Sequence, residues 1–256
     1  MALLLTRITS RKFILILVLS FSFYSIHSQE IELKHSVEIP EPLMFDLVRG
    51  LGAKQGELEI NALADFPLND VSSREVEWAP EIEYALFDGF AVELEFPFEN
   101  LELEAIKMAF QWTIGQSKSN KYIHGIQVLS EIMLHESIVE LSALYVPGYR
   151  FNDTWSMLGL IGVMVEVGED APKKKNTILL NTSLFANVNE NLVLGLELNN
   201  TDPTLQGLDD NEMSLLILPQ VQYEFNSGYE LQLGFGPKIT QYDTDISAVL
   251  RVIKTF

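Results

Sequence analysis

From residue 56 to the C-terminus, apolar and polar side chains alternate with a period of two. In residues 75–86, EVEWAPEIEYAL, one face carries Val76, Trp78, Ile82, Tyr84 and Leu86. The other carries Glu75, Glu77, Glu81, Glu83 and Ala85. Successive side chains of a strand point to opposite faces, so this segment is a ribbon with one oily side and one acidic side. Asp88-Gly89 follows as a tight hairpin signal. Residues 90–98 then repeat the pattern, with Val92, Leu94 and Phe96 set against Glu93 and Glu95. Two further stripes, Leu192, Leu194, Leu196, Leu198 and Tyr229, Leu231, Leu233, Phe235, have the same spacing.

The alternation predicts strands at 56–64, 74–87, 90–98, 103–115, 121–134, 137–148, 154–167, 176–188, 191–200, 212–225, 228–240 and 245–256. Many exceed the roughly five or six residues usual in soluble sheets. They suit the roughly 9–11 residues that a tilted strand needs to cross a bilayer. Short turns at Asp88-Gly89, Asn189-Glu190 and 226–228 alternate with longer segments at 65–73, 168–175 and 201–211. The middle departs from this rhythm: His135-Glu136-Ser137 is short where a long loop is due, and 115–121 is long where a turn is due. Ten or fourteen strands therefore remain open beside twelve. Leu216 and Leu218 share parity with Gln220, Gln222 and Glu224, which predicts a bulge near Pro219.

Both a soluble sandwich and a membrane barrel alternate in this way. Aromatics near strand ends (Trp78, Phe87, Phe90, Phe98, Trp112, Tyr122, Tyr145, Trp155, Phe225, Tyr229) favour the barrel, because interfacial girdles have that distribution. So does strand length, since long open edges invite aggregation and closure removes them. The expectation is an all-β fold: a transmembrane antiparallel up-and-down β-barrel of about twelve strands, preceded by an N-terminal signal peptide.

That signal is residues 1–28. Arg7, Arg11 and Lys12 precede the apolar run Phe13–Tyr24, and the small Ser28 suits cleavage. Elsewhere no apolar run reaches the ~20 residues of a membrane helix, although 47 % of residues are hydrophobic. Residues 29–55 alternate weakly around Pro40 and Pro42. They read as a periplasmic segment or a plug in the barrel mouth, ahead of a barrel at 56–256.

Removal of residues 1–28 leaves 14 Lys+Arg against 36 Asp+Glu, a formal charge of −22. Nucleic acid is disfavoured as a partner, because phosphate binding needs a basic surface. No cysteine is present, which excludes disulfides, thiolate metal sites and thiol catalysis.

Several stretches, EIEYALFDGFAVELEFPFE, LEAIKMAFQWTIG, YIHGIQVL, ALYVPGYRF and LILPQVQYEF, resemble a group of uncharacterised Gram-negative outer-membrane β-barrel proteins. They are loosely similar to barrels proposed to pass small solutes. The resemblance implies a bacterial outer-membrane location with lipid as surroundings. It also implies assembly by machinery that reads a C-terminal aromatic, here Phe256 after Val252, Leu250, Ala248 and Ile246, with Lys254 departing from the pattern.

With lipid outside, the polar face is the lumen. Glu57, Glu59, Glu75, Glu77, Glu81, Glu83, Glu93, Glu95, Glu140, Glu197 and Glu230 then point inward, with Lys107, Lys238 and Arg251 as counter-charges. An acidic lumen implies a passive conduit for small polar or cationic solutes. The alternative is a structural or adhesive barrel with a filled lumen, acting through its external loops. A hydrolase is the weakest reading, since no nucleophile motif accompanies His124, Ser117, Ser119 and Ser130. Asp202, Asp209, Asp210 and Glu212 lack an EF-hand spacing and read as a solvated acidic loop. Lys173-Lys174-Lys175 reads as a loop tip. Neither a cofactor nor a metal is expected.

Overall fold

The computed structural model describes residues 37–44, 47–69, 74–171, 176–200, 214–240 and 244–256. Residues 1–28, read above as a signal peptide, the lysine run 173–175 and the segment 201–211 lie outside the described residues.

Fourteen strands follow one another: β1 (Leu58–Pro67), β2 (Glu77–Phe87), β3 (Phe90–Glu95), β4 (Phe98–Glu99), β5 (Glu102–Leu103), β6 (Ala105–Gln116), β7 (Tyr122–Met133), β8 (Ile138–Arg150), β9 (Trp155–Gly168), β10 (Asn176–Asn187), β11 (Leu192–Asn199), β12 (Leu215–Phe225), β13 (Tyr229–Ile239) and β14 (Thr244–Thr255). All but β4 and β5 form one antiparallel up-and-down sheet. β1 pairs with β2 on one side and with β14 on the other, from Glu59↔Thr255 to Pro67↔Ser247. The sheet therefore closes on itself as a twelve-stranded barrel, and the last backbone amide, Phe256 N, donates to Leu58 O at 2.9 Å along that seam. Among the described residues, closure leaves none of the twelve barrel strands at an open edge, which hydrocarbon surroundings require. Among the described residues, no helix is long and apolar enough to cross a membrane.

Each of the twelve strands read from the alternation is present, within a few residues. The awkward middle resolves without a change of count. Residues 134–137 form a short loop, and 117–121 close by a turn in which Asn120 has φ 53°. Residues 96–104 differ from expectation. Pro97 has no N–H for the ladder, so β3 stops at Glu95, and the following residues fold into the small β4–β5 hairpin. That hairpin pairs with the end of β2 through Trp78↔Phe98, whose rings stack at 4.5 Å.

The expected bulge at Pro219 is absent. The β11–β12 register runs unbroken from Leu192↔Tyr223 through Leu196↔Pro219 to Asn199↔Leu216. Leu216 and Leu218 point inward in line with Gln220 and Gln222, and all four are buried. The bulge was predicted on the premise of a polar interior, and that premise fails locally. An apolar patch inside the barrel receives these two leucines.

Outside, the alternation exposes Ile178, Leu180, Leu194, Leu196, Leu233 and Val252. Aromatics crowd the end where the turns are short. Phe87–Phe90, Tyr149–Phe151 and Tyr223–Phe225 lie with ring centroids 4.7, 5.0 and 4.9 Å apart. Lys254 lies over the rings of Tyr229 and Phe256 and donates to Ser227 O at 2.7 Å. Its charge reaches the barrel end while its stem lies on aromatic surface, as long cationic side chains do at interfaces.

Candidate functional site

The barrel interior holds part of the chain's own N-terminal stretch, within residues 37–44 and 47–53. Val37, Leu43, Met44, Leu47 and Val48 are buried. Leu47 and Val48 pack with inward residues of several strands, among them Ala91, Leu129, Leu144, Leu160 and Phe185. Leu43 and Met44 pack with Leu63, Leu216, Leu218 and Val249. The wall has small residues where this plug presses on it. A Cβ on Gly148 would lie 2.5 Å from Ile39 Cδ1, and one on Gly234 would lie 2.7 Å from Leu43 Cδ2.

Polar side chains of the wall hold the plug backbone. Glu197 Oε2 accepts from Leu43 N at 2.9 Å, Met44 N at 3.2 Å and Gln220 Nε2 at 3.0 Å, while its Oε1 accepts from Asn199 Nδ2 at 2.8 Å. Val48 N donates to Gln127 Oε1, and Gln111 and Gln222 donate to the carbonyls of Arg49 and Glu41. Such brackets are needed because irregular backbone leaves peptide groups without ladder partners. The plug leaves the barrel at the short-turn end. There Gly56 N donates to Ala85 O, Gly89 N to Ala53 O and Gly52 N to Thr113 Oγ1, at 2.9, 2.7 and 2.8 Å.

The acidic faces of β1, β2 and β3 meet three cations. Arg251 of β14 reaches Glu81 at 2.8 Å and Glu83 at 3.3 Å, and its Nε donates to Asn61 Oδ1 at 3.2 Å. Asn61 in turn donates to Glu83 at 2.7 Å. Arg49 of the plug pairs with Glu59, approaches Glu57 at 3.5 Å and lies 3.9 Å from Glu83. Lys107 of β6 pairs with Glu95 at 2.6 Å. Arg49 was not singled out in the sequence, because it lies in a segment without clear alternation. Its signal was only that a cation precedes an acidic strand.

The remaining sequence candidates occupy varied places. Glu77 and Glu93 are buried. Glu140 borders a small internal cavity of about 20 Å³ beside Lys107 and Glu131. Glu230 lies at the wider cavity described below, and Glu75 is exposed in the coil before β2. Lys238 faces Leu216 and Asp245 across its two neighbouring strands. His124 stacks on Tyr122 at 5.2 Å and meets the edge of Tyr145, as part of the outer aromatic band. Ser117 instead bonds Ser119 and the backbone of the 117–122 turn.

At the short-turn end the interior opens into a cavity of about 640 Å³. Glu38, Glu41, Glu59, Glu190, Glu224 and Glu230 line it against Arg49 and Arg150, so carboxylates outnumber guanidinium groups three to one. Deeper in the barrel, Leu43, Met44, Leu47 and Val48 of the plug pack against wall side chains.

The fold matches solved structures of bacterial outer-membrane proteins. It is similar to the KdgM porin (TM-score 0.58, 9 % identity, 77 % of this chain and 99 % of that one). It is similar to an outer membrane channel from Pseudomonas putida F1 (TM-score 0.58, 14 % identity, 86 % and 100 %). The NanC porin gives a TM-score of 0.57 at 8 % identity, over 76 % of this chain and 98 % of that one. At such identities the likeness is one of fold, that of bacterial outer-membrane barrels, and these neighbours are porins and channels rather than enzymes. No curated protein matches the sequence significantly. One family model, described as HAEPLYID-like, does match. The match spans residues 34–255, plug and barrel together, and the chain therefore belongs to the HAEPLYID-like family.

Proposed function

We propose that this protein is an outer-membrane channel or transporter for small polar or cationic solutes, and that residues 37–55 hold it closed at rest. The observation that carries the reading is the way the plug is held. Wall side chains and apolar contacts fasten it, and in the described residues it adds no strand to the sheet. Such contacts can be exchanged for a solute without opening the barrel wall. Charged rings set the selectivity of a pore, and here the vestibule and the β1–β3 wall are both rich in glutamate. The solved KdgM porin has been captured with oligogalacturonate, a polyanion. The carboxylate excess in this chain disfavours such a ligand. Short turns at the vestibule end favour a periplasmic side for it, by analogy with outer-membrane barrels. Export by residues 1–28 and assembly through Phe256 complete the proposal.

Planar-bilayer recording on refolded protein tests it. The expected result is low conductance for the native chain, and cation-preferring conductance once the plug is loosened by Glu197→Gln. Anion preference that persists after Glu→Gln at 81, 83, 93 and 95 would overturn the solute class.

The filled interior also favours a second reading, a structural or adhesive barrel that acts through its loops. It predicts no conductance from any plug variant, and a phenotype only from deletion of residues 201–211.

A further inference from the structure

Among the described residues, one buried carboxylate of the interior has no hydrogen-bond partner at either oxygen. Glu93 of β3 is 5 % exposed, and neither of its oxygens has a hydrogen-bond partner. The register shows why. Glu93 faces Glu83 across β2 and Ala109 across β6, so neither neighbour offers a donor. Glu93 instead turns towards Glu81 and Glu95, which are 7 % and 2 % exposed, and one oxygen from each of the three lies within 4.8 Å of the others.

The charges nearby do not balance. Glu59, Glu81, Glu83, Glu93 and Glu95 share Arg49, Lys107 and Arg251, and buried Glu131 lies opposite Lys107 as well, so carboxylates outnumber cations in this buried space. Burial of unpaired charge is strongly unfavourable unless something neutralises it. Three convergent carboxylates amid such an excess of negative charge suit one divalent ion. Oxygens up to 4.8 Å apart can share an ion whose bonds are about 2.4 Å long, the range of Ca²⁺. A donor set made only of carboxylates selects hard cations over thiophilic or imidazole-seeking ones.

We propose that Glu81, Glu93 and Glu95 form a binding site for one hard divalent cation of the Ca²⁺ class, built into the barrel wall. The ion neutralises Glu93 and ties β2 to β3, where β3 is only six residues long. The acidic vestibule supplies the approach. Arg49 and Glu59 line it, and both contact the same network through Asn61 and Glu83. The site does not depend on whether a solute crosses the barrel.

Calorimetric titration of Ca²⁺ into the full chain, refolded in detergent and stripped with EDTA, tests the proposal. Saturable binding of one equivalent is expected, weakened at least tenfold by Glu93→Gln. Glu102→Gln should leave it unchanged, although Glu102, Glu104 and His135 form the other acidic group, an exposed one. Absence of saturable binding overturns the site, and so does binding that Glu93→Gln does not weaken. Carbodiimide labelling of the native sequence provides a readout that needs no variant. Ca²⁺ should protect Glu93 from modification, and equal labelling with and without Ca²⁺ contradicts the proposal.

Discussion

Arg251 bonds to β2 and to β1 from β14, so one guanidinium spans the seam where the sheet closes. Truncating one partner of a buried ion pair leaves the other charged and unpaired, at a cost of about 3–5 kcal/mol. Arg251→Ala should therefore lower the unfolding free energy of the refolded barrel, read from urea titration, by that order, while the double change Arg251→Met with Glu81→Gln recovers part of the loss. A midpoint unchanged by Arg251→Ala would show that Glu81 and Glu83 do not need it. Much of this residue-level picture was legible, because parity alone sends Glu81, Glu83, Glu93, Glu95 and Arg251 to one face. What each one touches was not. Glu197 carries the same parity signal as Glu95, yet it accepts hydrogen bonds from plug amides whereas Glu95 pairs with a lysine. Partners far apart in sequence leave no local pattern.

The strands follow directly from the alternation, since hydrocarbon outside and a protein interior both act on every second residue. The plug left almost no such trace. Its conformation is set by the wall around it, not by a periodicity of its own, and so Leu216 and Leu218 looked like a register error. They are instead the receiving surface for Leu43 and Met44. Gly234 gives the sharpest test of that fit. A Cβ there would lie 2.7 Å from Leu43 Cδ2 and 2.8 Å from Leu218 Cγ, well inside van der Waals contact, and overpacking of this kind costs roughly 1–3 kcal/mol. Gly234→Val should displace the plug while the barrel stays closed. The expected readouts are higher conductance and faster proteolysis within residues 37–55, with the heat-dependent gel shift of a folded barrel retained. A variant that remains as protected and as non-conducting as the native chain would contradict the packing.

For the whole molecule, the decisive question is what surrounds the oily face. Leu196 points outward from the middle of β11. An arginine at a lipid-facing position near the bilayer midplane costs about 2–4 kcal/mol, and much less near the interfaces. Leu196→Arg should destabilise the barrel by that order in lipid vesicles, and Leu192→Arg, nearer the strand end, by less. Equal and small effects at both positions would argue that the outer face meets water. A twelve-stranded barrel lies between those filled by side chains alone and those wide enough for an open channel, and here a segment of the chain takes up the difference. Membrane, wall and plug thus form one account, in which the interior is closed by contacts that can be released.

Because the chain has no cysteine, that account can be tested with a single pair of thiols, Leu43→Cys and Leu218→Cys, placed in the Glu197→Gln background. Bilayer conductance is recorded before and after a short reducible thiol cross-linker joins them. The account predicts cation conductance before cross-linking, closure after it and recovery on reduction. Conductance that is the same in the native, linked and reduced proteins would show that residues 37–55 do not occupy the path.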